Sequence, residues 1–207
     1  MVLNKSVISL VLHADEYLSL IVKEHGIFAY PIIFLTIFCE TGLVVTPFLP
    51  GDSLVFLAGS FASNGLLNVF VLFLIILIAA ILGDSANYWI GYYIGEKFFV
   101  KAKFIKREHL ERADNFYKKY GGKMIMVSRF LPIVRTLAPF TAGVSKMDYI
   151  KFLSFDIIGC TCWTSVFLFG GYFFGKIPLV QENILFASAL VVVVILIMNY
   201  FARRFEN

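Results

Sequence analysis

From Glu24 to Glu96 the chain contains neither lysine nor arginine. Charge is scarce overall, at 15% of 207 residues against about 25% in an ordinary soluble domain. Hydrophobic residues make up 59%, and 23 positions are phenylalanine. That balance excludes a soluble globular domain and points to an all-α integral membrane protein, because helices satisfy their own backbone in lipid. Histidine is scarce too. His13, His25 and His109 all lie outside the long apolar segments, which excludes hydrolysis through a histidine nucleophile buried in the membrane. Neither a Gly-x-Ser-x-Gly elbow nor a phosphate loop nor a zinc-binding helix motif occurs, so the chain reads as neither an enzyme nor a cofactor carrier. Cys39, Cys160 and Cys162 lie in apolar runs with no histidine at ligand spacing. They read as packing residues, and no metal site is expected. The first residues, Met1 to Ser6, open no secretory leader, and insertion is expected through the internal spans.

The positive charge that is present is concentrated. Residues 101–123 hold eight cations against Glu108, Glu111 and Asp114, a local excess of five in a chain whose net charge is +4. Flanked by membrane segments, such a block marks a cytoplasmic surface helix, and nucleic acid is not an expected partner. Residues 7–23 carry apolar positions on one helical face and read as an amphipathic interfacial helix. Residues 30–62 are apolar but interrupted by Pro47, Pro50 and Gly51, and residues 124–145 are interrupted by Pro132 and Pro139. Both read as re-entrant hairpins. Residues 66–94, 150–174 and 184–202 read as spans, and Arg203 and Arg204 place the C-terminus in the cytoplasm. On this path the two hairpins enter from opposite faces.

An internal echo supports the pairing of the hairpins. Phe48-Leu49-Pro50 precedes Phe56-Leu57-Ala58-Gly59, and Phe130-Leu131-Pro132 precedes Phe140-Thr141-Ala142-Gly143. Interrupted hydrophobic segments in corresponding positions are the mark of an inverted-repeat transporter and of its binding site. The ionisable residues at membrane depth are Glu40, Asp52, Asp84, Arg129, Arg135 and Asp156. Asp84 and Asp156, near span ends, read as structural ion-pair partners. Glu40, Asp52, Arg129 and Arg135 stand beside the helix breaks and read as functional. Arginine keeps its charge and presents a fork of donors matched to phosphate. A carboxylate in a low-dielectric site can load and release a proton. Together they describe a proton-coupled anion site, with Arg129 and Arg135 holding the anion and Glu40 and Asp52 exchanging protons. Gly83, Asn87, Gly91 and Gly95, at four-residue steps, read as a face for close helix packing. Trp163 and the other aromatics read as span packing or interface belts.

These residues resemble the DedA family of bacterial membrane proteins. The likeness lies in FCETGLVVTPFLPGDS (residues 38–53), GDSANY (83–88), RFLPIVR (129–135) and APFTAG (138–143), and it covers most of residues 7–180. The resemblance implies two opposed re-entrant hairpins plus transmembrane helices in the cytoplasmic (inner) membrane. It implies translocation of undecaprenyl phosphate, driven by the proton motive force and supporting envelope integrity. It also maps the family's acidic pair onto Glu40 and Asp52 and its arginine pair onto Arg129 and Arg135. The expected partners are therefore an anionic membrane lipid and protons, and a homo-oligomer is compatible with this reading. Two other classes remain open from the residues. One is a proton-coupled cation antiporter whose carboxylates bind the ion. The other is an assembly factor that recruits envelope enzymes through the basic helix 101–123.

Overall fold

A computed structural model describes residues 14–42, 51–95, 122–130, 132–174 and 177. Pro47, Pro50, the basic segment through residue 121, the last span 184–202 and the start of the expected 7–23 helix lie outside the described residues. Among the described residues every regular element is a helix. We number them α1 (Ala14–Gly42), α2 (Gly51–Ser63), α3 (Val69–Ile90), α4 (Lys123–Ser128), α5 (Pro132–Val144), α6 (Tyr149–Thr164) and α7 (Gly170–Phe174). Alpha-helix α3 continues into a π-helical turn at Gly91–Gly95, and α6 into another at Ser165–Phe169 that leads to α7.

Two boundaries differ from the sequence expectation. From Ala14 onward, the expected interfacial helix and the first arm of the 30–62 hairpin form one 29-residue helix, α1. Pro31 lies inside it. A proline there forfeits a single backbone bond, to the Ile27 carbonyl, and the apolar residues on both sides offer no turn chemistry to end the helix. Pro139 is likewise no helix break, for it sits inside α5. Its missing N–H leaves the Arg135 carbonyl without the usual intrahelical donor. Pro132 does mark a break. It opens α5, where a proline's absent N–H costs nothing and its fixed φ suits the first turn.

The internal echo reaches beyond the short sequence match. Helix α2 ends in a turn in which Leu66 N–H donates to the Phe61 carbonyl and Gly65 N–H to the Ala62 carbonyl, with Gly65 at φ +76°. Helix α5 ends the same way: Met147 N–H donates to Ala142 and Lys146 N–H to Gly143, with Lys146 at φ +52°. Both are the six-to-one and five-to-two bonds of a left-handed helix C-cap. A side-chain cap follows each. Asn68 Oδ1 accepts from the Phe70 and Val71 amides to start α3, and Asp148 Oδ1 accepts from the Lys151 amide to start α6.

The chain clusters into two compact units. One takes residues up to Thr36, Phe48–Ile76 and everything from Thr164. The other takes Ile37–Pro47 and Leu77–Trp163. In the first unit α2 packs on the π-turn after α6 and on α7. A Cβ on Gly59 would fall 2.8 Å from the Tyr172 backbone nitrogen, and one on Gly171 would strike the Phe56 main chain. In the second unit α5 packs on the π-turn after α3. There a Cβ on Gly143 would fall 2.8 Å from the Tyr92 nitrogen, and one on Gly91 would strike the Phe140 main chain. Each unit is therefore stapled by the same reciprocal glycine crossing. The short helix of each sequence copy meets the end of the other copy's long helix.

Among the described residues two helices are long and apolar enough to cross a bilayer, Val69–Tyr93 and Tyr149–Phe174, of 25 and 26 residues. At about 1.5 Å per residue each exceeds the roughly 30 Å hydrocarbon core. Their outward faces are apolar, with Phe70, Leu74, Ile78 and Leu82 exposed on one and Ile150, Ile157, Ile158 and Phe173 on the other. Water would penalise these surfaces, whereas lipid would not.

Candidate functional site

The second unit is assembled by small residues that let main chains touch. Helix α1 crosses α3 where a Cβ on Gly42 would lie 3.4 Å from the Gly83 Cα. Asn87, one turn along α3, fixes the crossing by donating to the Thr41 carbonyl at 3.1 Å and to the Thr136 carbonyl of α5 at 2.7 Å. Gly159 of α6 faces α4, where a Cβ would sit 3.1 Å from the Met126 Cα and 3.6 Å from the Arg129 Cδ. The arginine stem runs through the room that this glycine leaves. At the far end Tyr88 donates to the Met147 carbonyl, and Tyr149 donates to Ser85 Oγ at 3.1 Å, which ties the turn before α6 to α3.

These packings bring five charged side chains into one buried cluster. Glu40, Asp84, Arg129, Arg135 and Asp156 are each at most 4% exposed. Arg135, on the first turn of α5, pairs with Glu40 of α1. Arg129, just beyond α4, pairs through Nη2 with Asp84 of α3 and reaches Asp156 Oδ1 of α6 at 3.3 Å. Cys160 donates to Asp156 Oδ2 at 3.6 Å. Asp156, Cys160 and Trp163 fall at i, i+4 and i+7, on one face of α6. Trp163 completes the cluster. The Arg129 and Arg135 guanidinium carbons lie 5.8 and 5.2 Å from its ring centre, within cation–π range, and the ring is fully buried.

Of the four residues that the sequence marks as functional, the structure brings three together: Glu40, Arg129 and Arg135. Asp52, second residue of α2 and partly exposed, belongs to the first unit, whereas the cluster lies wholly in the second. Asp84 and Asp156 do act as ion-pair partners, and the residue they pair with is Arg129 itself. Trp163 is packed inside the protein, as the first of its two sequence readings has it, and it also carries both guanidiniums. The i, i+4, i+7 row with Asp156 and Cys160 is the sequence signal that would have found it. Trp89, Tyr92 and Tyr93, by contrast, are exposed and in mutual ring contact, Trp89 stacked on Tyr93 and Tyr92 edge-on to both, as suits an interface belt.

Asp84, Asp156 and Cys160 present ligand atoms within 4.8 Å of one another. Arg129 already stands against both carboxylates, so a metal ion there would have to displace a guanidinium. An anion meets different conditions. Among the described residues, Nε and Nη1 of Arg129 have no hydrogen-bond partner although the side chain is buried. Two fixed cations held on one indole, with donors of Arg129 unspent, are suited to a phosphate or carboxylate.

A family model described as the VTT domain matches residues 49–173. The chain is 50% identical over 194 residues to Protein DedA of Escherichia coli (strain K12), covering 91% of this chain and 89% of that one. It is 33% identical over 156 residues to the inner membrane protein YghB of the same strain, covering 74% and 71%. With the inner membrane protein YqjA it shares 30% over 172 residues, covering 81% and 78%. No solved structure matches the chain.

Proposed function

The chain belongs to the VTT-domain family of DedA membrane proteins, and on that premise we propose that it carries a lipid phosphate across the bacterial cytoplasmic membrane, with undecaprenyl phosphate as its cargo and the proton motive force as its drive. The observation that carries this reading is the placement of Arg129 and Arg135 on opposite-charge partners around Trp163, with donors of Arg129 still unspent. In this mechanism the empty site is neutralised from within: Glu40 holds Arg135, and the aspartates hold Arg129. An arriving phosphate takes the place of these carboxylates while its polyprenyl tail stays in lipid. The freed carboxylates then carry protons, with Glu40 exchanging at Arg135 and Asp52 serving the first hairpin. In this proposal residues 30–62 and 124–145 act as re-entrant hairpins that give the site access from either face in turn, with the break before α5 at the tip of the second. Half-helix ends at such breaks suit charged cargo at membrane depth.

The test is uptake of labelled undecaprenyl phosphate by proteoliposomes under an imposed proton gradient. Arg129→Lys and Arg135→Lys keep the charge and lose the fork. Each forfeits a charge-assisted bond worth about 1.5–3 kcal/mol, so transport should fall by roughly 10- to 100-fold. Unchanged transport in both variants would rule out bidentate phosphate binding. The three donor atoms of Asp84, Asp156 and Cys160 favour a second reading, a proton-coupled cation antiporter. That reading requires cation-dependent proton flux with no lipid movement in the same vesicles.

A further inference from the structure

The indole of Trp163 is fully buried, and the guanidinium carbons of both Arg129 and Arg135 stand over it, 5.8 and 5.2 Å from the ring centre. A ring that serves only to fill space meets apolar neighbours, whereas this one carries two like charges. The face of an indole attracts a cation through its quadrupole, and more strongly where water is excluded. The fold fixes the ring against the arginines. Gly159, one turn before Trp163 in α6, admits α4 closely. A Cβ there would fall 3.1 Å from the Met126 Cα and 3.6 Å from the Arg129 Cδ. Asp156, Cys160 and Trp163 then follow one another along the same face of α6.

The carboxylates and the ring hold the arginines in different ways. Asp84 and Asp156 accept the N–H groups of Arg129, so an arriving anion competes with them for the same donors. Glu40 does the same at Arg135. The ring attracts the charge with its face and is no rival to an anion, so its hold survives an exchange that the carboxylates do not. We propose that Trp163 is the positioning residue of the phosphate site: its ring keeps Arg129 and Arg135 in place while the carboxylates give way to phosphate. This role rests on the phosphate reading above. A long side chain released from its partner regains rotamer freedom, which binding must remove again. Held on the ring, Arg129 keeps its place. Its Nε and Nη1, which have no hydrogen-bond partner among the described residues, stay available as donors. Because one ring serves both cations, a single side chain of α6 sets where each of them stands.

The test changes the ring's charge distribution and leaves its shape almost untouched. Tryptophans bearing one, two or four fluorines are inserted at position 163 of the full-length protein by nonsense suppression, which leaves Trp89 alone. Fluorine withdraws electrons from the ring and weakens its hold on a cation step by step. Farnesyl phosphate is the probe, titrated calorimetrically into detergent-solubilised protein. Its affinity should fall with each step, reaching a loss of about fivefold or more at four fluorines, while thermal unfolding stays close to that of the wild type. The same fluorinated residues at position 89, on the exposed aromatic patch, should leave the affinity as it was. A flat series at position 163 overturns the proposal, because a ring that only packs keeps its size and apolarity throughout. An equal fall at both positions overturns it too. Where four fluorines prevent folding, the one- and two-fluorine steps decide in the same way. Wild-type protein that binds no farnesyl phosphate overturns the phosphate reading itself, and the role of Trp163 falls with it.

Discussion

Arg129→Met should abolish lipid-phosphate transport and lower the unfolding free energy by about 3–5 kcal/mol, the cost of leaving buried charge without its partner. The expectation follows from who surrounds the arginine. Asp84 and Asp156 approach it from two different helices, and both are almost wholly buried. Methionine fills a similar volume but leaves two acids facing each other. Thermal unfolding in detergent measures the stability, and vesicle uptake measures the transport. Adding Asp84→Asn and Asp156→Asn to Arg129→Met removes the stranded charges. The triple variant should regain most of the lost stability and none of the transport. A single variant that melts with the wild type would show that the ion pairs do not hold the helices together.

The second large effect lies away from the charges. Gly143→Ala and Gly59→Ala each put a methyl group 2.8 Å from a backbone nitrogen, at Tyr92 and Tyr172 respectively, and closer still to a main-chain oxygen. A side chain could rotate away from that methyl, but a helix backbone cannot. Overpacking of this kind costs about 1–3 kcal/mol and occasionally more, and these sites belong at the upper end. The two variants should lose similar amounts, because the crossings they pry apart are alike. Gly170→Ala is the control. A Cβ there meets only ring carbons of Phe56, at 3.6 and 3.8 Å, in ordinary contact. With the better helix propensity of alanine, worth about 1 kcal/mol, it should melt no lower than the wild type. If Gly59→Ala were harmless while Gly143→Ala was not, the equivalence of the two crossings would be lost.

Much of this was legible in the sequence because the signals were local. Charged residues beside proline breaks pointed to Glu40, Arg129 and Arg135. The Phe-Leu-Pro and Ala-Gly echo marked two helices that do share a cap, a turn and a crossing. The choice of partners was not legible. Arg129 bonds residues 45 and 27 positions away, and Arg135 bonds one 95 positions away. Only the glycine crossings decide which helices lie close enough to supply those carboxylates. Pro139 misled for a related reason, and Pro31 shows the same physics. A proline ends a helix when its neighbours can turn, and the residues around these two keep the helix going despite one missing bond. Trp163 was hidden by abundance, since in so aromatic a chain a single ring carries little information until its neighbours are known.

The chain has only two tryptophans, and they occupy opposite environments: Trp89 among exposed tyrosines, Trp163 under two guanidiniums. Replacing Trp89 with phenylalanine would leave one indole, seated between the two cations. Indole emission responds to the electric field along the ring, so any ion that draws either arginine away would change its colour and intensity. The cluster thus comes with its own built-in optical probe, and occupancy could be followed in real time without attaching a label.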